Sequence, residues 1–562
     1  MDTARMSPSP TFALASSLVD EVVALSPVTA TYLGVASGQD RWDDLSPDGA
    51  VAELALWRDA RRRIEALRDQ PSPLSEPDAL ALEVMLDHAA LRIDSLEQGD
   101  HQVDLNSISS TLQTVLRSFH TMPSQTEADW AAITRRLETL DEPLRGYQAR
   151  LDEGRRQGRA VARRQVEAAL AQARLESGPR SDFFRVAAGY DRANPALAAA
   201  LDAAVHRARA AVASLATYLE QTYLPDASER EAVGPERYRR AAREHLGMDL
   251  DLAETYAWGW EEIRTIEAEM EQIAAELGRG ATAAETIAAL KRDPAQRAPT
   301  TEIFIARMAE RQQTALSALD GASFDVPPPA RRIDVFVAPP GGPIGAYYSA
   351  PSEDFSRPGA VWYSLESPTD IPCFSEITTA HHEGFPGHHL HISTQLYQSE
   401  RLSRFQRLIA HGTGHAEGWA LYAERLMREL GFLERPEYVL GLLMAELVRA
   451  WRVVVDIGLH LELPIPASSS FHPGEIWRYE LAIEALRDRA FLAPGAATSN
   501  AVRYLGWPAQ AISYKVGQRV VLDLRDQRRR LDGESFNLKS FHARLVGVGA
   551  VGLDLLRRLT LA

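Results

Sequence analysis

The chain has 562 residues, and its 61 Lys and Arg against 77 Asp and Glu give a formal charge of −16. That balance argues against a nucleic-acid partner, whose phosphates would be repelled. The single cysteine, Cys373, excludes an intrachain disulfide, and no stretch approaches the roughly 18 apolar residues of a membrane span.

Met1 to Ser7 shows no basic region followed by an apolar core, so the expectation is a soluble, cytoplasmic protein without a membrane partner. From about residue 10 to 320 the chain reads as helix after helix, by apolar residues three and four apart. The clearest are 50–69, 78–96 and 251–277, with Pro71, Pro73 and Pro77 punctuating the first two. The basic run Arg155 to Arg164 reads as a solvated helix face rather than an anion site. No internal repeat is evident.

The character changes near residue 325. Arg332 to Ala338 alternates as a strand does, and Gly359 to Leu365 suggests another, with the turn-rich Gly341–Gly345 between them. The free edge of such a sheet can pair with an extended peptide, or the sheet can simply cover the core. Cys373, between Pro372 and Phe374, reads as buried packing.

The stretch His381-His-Glu-Gly-Phe-Pro-Gly-His-His-Leu-His391 holds five of the chain's 15 histidines. Neutral imidazoles are common zinc ligands, and a carboxylate directly after a ligand, as Glu383 follows His382, suits proton transfer from an activated water. Glu383 is separated from His388 by Gly384-Phe385-Pro386-Gly387, two residues more than a His-Glu-x-x-His helix has. Pro386 lacks a backbone donor and Gly387 permits unusual dihedrals, so a kink or bulge is expected there. Three ligand registers fit: His382 with His388 across the bulge, His382 with His389, or His381 with His388.

A third ligand is expected on the next helix, from Thr413 towards Gly431, where Glu417, Leu421 and Glu424 share one face. Glu417 is the choice, against ordinary surface ion pairs and against a rival pair of His411 and His415, whose neighbours Gly412 and Gly414 weaken a helix. Further on, Arg449, Arg452 and Asp456 fall at spacings of three and four and suggest an ionic ladder. Asp456 is placed to orient His460 four residues on, or to accept the free ring proton of a zinc histidine.

The pattern His382-Glu-Gly-x-Pro-Gly-His-His389 with Glu417-Gly-Trp-Ala-Leu-Tyr-Ala-Glu424 resembles a bacterial family known as a domain of unknown function. That family in turn resembles, distantly, the helical zinc peptidases typified by thimet oligopeptidase and angiotensin-converting enzyme. The resemblance extends to Pro27–Gly34, Asp44–Ser46, Ala346–Tyr348, Ser356–Gly359, Arg452–His460 and Gln510–Gly517, and departs from the expected glutamine at His391. It implies a mainly α, zinc-peptidase-like fold with a central cleft and a small sheet. Residues 1–324 would form one wall and 325–562 the catalytic region. It selects His382, His388 and Glu417 as ligands of Zn2+, with Glu383 as general base. It also nominates Tyr514, with His460 second, to stabilise the oxyanion.

The expected activity is zinc-dependent cleavage of amide bonds in small peptides or peptide-like metabolites. The alternatives are a non-catalytic, metal-stabilised peptide-binding protein and a hydrolase of a specialised non-peptide amide. A purely structural zinc site has no need of Glu383 and is usually closed by four protein ligands.

Overall fold

The computed structural model of the chain describes residues 8–338, 345–365 and 367–562. Most of the expected turn at Gly341–Gly345 and the whole of Met1–Ser7 lie outside them. The described chain is mainly α with small sheets, and it divides into two compact units.

The first unit spans residues 1–231 with 403–409 and 505–507. It carries α1 (Pro10–Leu25), α2 (Pro27–Leu33), α3 (Pro47–Arg68), α4 (Glu76–Gln98), α5 (Thr111–Arg117) and α6 (Glu127–Glu138). Then come α7 (Asp141–Arg156), α8 (Arg163–Ser177), α9 (Asp182–Ala188) and α10 (Pro195–Tyr218). The expected helices at 50–69 and 78–96 are α3 and α4. Each starts at a serine whose hydroxyl accepts a backbone N–H, Ser46 from Gly49 and Ser75 from Asp78, and α4 stops at Gly99 with φ of 75°. Along α10, Leu201, Val205, Val212 and Leu215 recur on one face and bury against Leu137, Leu144 and Tyr147. The basic run does not form one helix face. It straddles the break between α7 and α8, and Arg155, Arg163 and Arg164 pair with Asp226, Glu229 and Glu231.

The second unit takes residues 232–402, 410–504 and 508–562. The helices between 234 and 319, read from sequence as part of the N-terminal region, belong to this unit. Its elements begin with α11 (Gly234–Leu246), α12 (Leu252–Leu277), α13 (Ala283–Arg292), β1 (Arg297–Thr300) and α14 (Thr301–Leu319). Next are β2 (Ile333–Val337), β3 (Ala346–Ser349), β4 (Gly359–Tyr363) and β5 (Thr369–Pro372). The helices α15 (Glu376–Glu383) and α16 (His388–Tyr397) follow, then α17 (Arg404–Leu408), which lies in the first unit. The rest are α18 (Thr413–Glu429), α19 (Pro436–Leu461), α20 (Tyr479–Glu484), α21 (Pro494–Gly506), whose last two residues fall in the first unit, α22 (Ser513–Asp532), α23 (Leu538–Gly547) and α24 (Leu553–Leu561).

The two strands expected from alternation are β2 and β4. They pair in parallel, Ile333 opposite Gly359, while β3 joins β4 antiparallel, so β4 is central. A second, two-stranded sheet joins β1 to β5. Cys373, just after β5, is buried as expected. No described helix is long and apolar enough to cross a membrane.

Two close helix pairs frame the site. Helix α12 packs along α19, where a Cβ on Gly259 would come within 2.8 Å of Val454 and where Trp260 meets Trp451 edge to face. Helices α18 and α22 approach through glycines: a Cβ on Gly418 would lie 2.3 Å from the Gly517 backbone, and one on Gly517 would lie 2.0 Å from the Gly414 carbonyl. Only residues without a Cβ allow that approach, which brings Tyr514 on α22 beside the histidines of α15.

Candidate metal centre

The six-residue spacing between His382 and His388 is absorbed by a break between two helices. Helix α15 ends at Glu383, and α16 begins at His388. Between them Gly384 N–H still bonds the Ala380 carbonyl at 3.0 Å, but Gly387 N–H reaches back to the His381 carbonyl at 3.0 Å. A Cβ on Gly387 would sit 2.0 Å from the His382 carbonyl oxygen, so the chain can turn this tightly only on glycine. The Phe385–Pro386 peptide is cis. Gln312 of α14 spans the break, donating to the Ala380 carbonyl and accepting from Phe385 N–H at 2.7 Å. Trp419 of α18 donates to the Pro386 carbonyl at 2.9 Å.

The result is a convergence. The rings of His382 and His388 lie 4.8 Å apart, nearly perpendicular, with Glu417 of α18 facing both. Glu417 Oε2 is 3.4 Å from His382 Nε2 and 3.5 Å from His388 Nε2. One ligand atom from each of the three residues falls within 4.8 Å of the others. Zinc bonds of about 2.0–2.2 Å in a tetrahedron place neighbouring ligand atoms about 3.3–3.5 Å apart. The two measured pairs match that edge. Glu417 Oε2 is moreover buried without a hydrogen-bond partner, an atom left for a cation to satisfy. The donor set therefore fits zinc.

The electrostatics agree. Burial alone would push the His382 imidazole down, but the Glu417 carboxylate 3.4 Å away, the hydrogen bond to Glu424 and the charges of Glu383 and Glu424 hold it up at about 10. Burial would raise Glu417, yet the two imidazoles keep it well below the usual carboxylate range. This is a pocket that favours positive charge between three carboxylates, where a divalent ion would compete with the proton on His382. Glu383, half-buried beside the pair, is raised by burial, with His382 and His388 drawing it back.

Glu424, two turns along α18 from Glu417, holds His382 in place. Its Oε1 is 2.8 Å from His382 Nδ1, which leaves Nε2 for the cluster. Thr378 donates to its other oxygen, and Arg449 of α19 stands 3.6 Å away. The sequence placed Glu424 on the face of Glu417 but gave it no role. Its seven-residue spacing from Glu417 was the available signal. Tyr514 stacks on His382, ring centroids 6.2 Å apart at 15°.

The other candidates lie elsewhere. His381 Nδ1 is held by the Phe385 carbonyl, and His389 by Tyr348 and the Ala330 carbonyl, so neither alternative register brings its ligands together. His411 precedes α18 and is exposed, whereas His415 is buried against His391, so that rival pair does not form. His460 is wholly buried, its Nε2 bonded to the Tyr504 carbonyl at 2.9 Å, and it is not brought to the cluster. Asp456 stands 4.0 Å from His460, beyond hydrogen-bond reach, and binds Tyr238 and the Ala509 N–H instead. No ladder forms along α19, because Arg449, Arg452 and Asp456 each bond to a different element.

The chain is similar over 98% of its length to two solved structures. One, from Colwellia psychrerythraea and described as a "putative lipoprotein", has a TM-score of 0.84 at 22% identity and is itself 98% covered. The other, a "putative lipoprotein of unknown function" from Shewanella oneidensis, has a TM-score of 0.75 at 17% identity and is covered completely, at 100%. These likenesses establish the fold. No curated protein matches the chain significantly. The sequence profile of the bacterial proteins of unknown function DUF885 matches residues 27–559, and the chain belongs to that family.

Proposed function

We propose that the protein is a zinc-dependent hydrolase that cleaves amide bonds of small peptides or peptide-like metabolites. The observation that carries this reading is the meeting of His382, His388 and Glu417 with a carboxylate, Glu383, directly beside the first ligand. Three protein donors leave a fourth position for water or substrate, and they are the donors implied by the resemblance to thimet oligopeptidase and angiotensin-converting enzyme.

Zinc bound there supplies Lewis acidity, which acidifies water and polarises a carbonyl. Glu383 accepts the proton of the attacking water and returns it to the departing amine nitrogen. Its burial raises its basicity, with His382 and His388 drawing it back. The Tyr514 hydroxyl, carried on a ring stacked on His382, donates to the oxygen that gains charge as the carbonyl is attacked. Glu424 keeps His382 Nε2 turned towards the cluster.

The test joins metal analysis of the purified protein with amide hydrolysis before and after chelation. We expect about one zinc per chain and activity that is lost on chelation and restored by zinc. Glu383→Gln should keep the metal and lose turnover by roughly 10²–10⁴-fold. Full activity in that variant, or hydrolysis indifferent to chelators, would refute the reading.

A further inference from the structure

Arg452 lies on α19, one turn beyond the Arg449 that stands by Glu424, and its surroundings differ from those of its neighbours. Its guanidinium carbon sits 4.8 Å from the centroid of the Tyr514 ring, the ring that also stacks on His382. Its Nε donates to the Tyr504 hydroxyl at 2.9 Å, and that hydroxyl donates in turn to Asn500 at 2.9 Å. Among the described residues no carboxylate lies within ion-pair distance of Arg452, whereas Arg425 of α18 is paired with Glu446 of α19. The two terminal nitrogens of Arg452 have no hydrogen-bond partner among the described residues, and the residue is only partly buried.

We propose that this open guanidinium fork binds a carboxylate of the substrate, and that the substrates are short peptides whose free C-terminus lies a few residues beyond the cleaved bond. The proposal rests on the reading of the centre as an amide hydrolase. A half-buried arginine without a counter-ion is costly to keep, and the planar fork matches a carboxylate through two parallel hydrogen bonds. Stacking on Tyr514 and the bond to Tyr504 already fix its orientation, so little freedom is lost when an anion docks. The guanidinium also adds positive charge beside a cluster ringed by Glu383, Glu417 and Glu424 in a chain of net charge −16, which favours the approach of an anionic peptide end. The distance is suitable: the fork and His382 lie 4.8 Å and 6.2 Å from the centroid of the same Tyr514 ring, a reach that a few residues of extended peptide cover at about 3.3 Å each.

The experiment uses the zinc-loaded full-length protein and three matched substrates. These are an N-blocked short peptide with a free C-terminus, the same peptide as its C-terminal amide, and an amide with glutamate as its last residue. The wild type should cleave the free acid at least tenfold better than the plain amide in kcat/KM, chiefly through KM. Arg452→Gln should abolish that difference and Arg452→Lys should weaken it. If the glutamate-bearing amide is cleaved as well as the free acid, carboxylate recognition stands and its source extends to side chains. Equal cleavage of acid and plain amide by the wild type, or a preference kept in a folded Arg452→Gln, overturns the proposal and leaves the hydrolase reading intact. If no peptide is cleaved, the hydrolase reading fails, and calorimetric binding of acid against amide decides the role of Arg452 by itself.

Discussion

The orientation of one imidazole rests on Glu424. A ring free to flip presents either nitrogen, whereas His382 with Nδ1 bound to Glu424 at 2.8 Å presents Nε2 alone. Glu424→Gln leaves the shape of the side chain and removes its charge, which weakens the grip on the ring proton and lowers the basicity of the ligand. Zinc affinity, measured by competition with a chromogenic chelator, should fall by roughly ten- to a hundredfold with the helical signal unchanged. Unaltered affinity would show that packing alone orients the ring. At this scale the residues that meet were legible, because His382, Glu383 and His388 crowd one stretch and Glu417 sits on a face with Leu421. The partner of His382 was not. Asp456 and Glu424 both look like buried acids in sequence, and only the packing of α18 against α15 decides which one meets the ring.

The helix break is the element on which the centre depends. In a continuous helix, residues six apart point to different sides, so His382 and His388 could not share an ion. The break reorients α16, and its tightest point is Gly387 against the His382 carbonyl. Gly387→Ala forces a Cβ into that oxygen and must displace the backbone of His382. We expect a loss of about 1–3 kcal/mol in stability, read from urea unfolding, together with weakened zinc binding. An alanine variant with wild-type stability and affinity would show that the turn has slack. The existence of the interruption follows from Pro386 and Gly387 in the sequence, as do the limits of α3, α4 and α12, which have capping side chains. The short strands β1, β3 and β5 do not, because four-residue strands hold too little alternation to be read and take their identity from their partners. The assignment of α11 to α14 to the second unit was equally illegible, since helix periodicity shows that a face is buried and not against what.

Across the molecule, the second unit is stitched together by segments far apart in the chain, and Asp456 is one such knot. It accepts from the Tyr238 hydroxyl of α11 at 2.5 Å and from the Ala509 N–H at 2.9 Å, in a wholly buried position. Burial raises its carboxyl to about 7, against the opposing pull of those two donors. The unfolded chain releases this proton near pH 4. Between about pH 4 and 7 the folded protein therefore holds a proton that the unfolded chain has lost, and stability falls as pH rises. The contribution is complete below about pH 4 and is gone above about pH 7, the reverse of an ion-paired carboxylate such as Glu446 beside Arg425. Asp456→Asn keeps an oxygen for both donors and has no proton to lose. Relative to the wild type it should gain stability between pH 5 and pH 8, by up to about 3 kcal/mol for a shift of this size. Comparing urea unfolding of the two proteins at both pH values isolates the effect, because the other titrating groups are shared. Parallel profiles would mean that Asp456 stays ionised within the fold, with its charge carried by Tyr238 and the Ala509 amide alone.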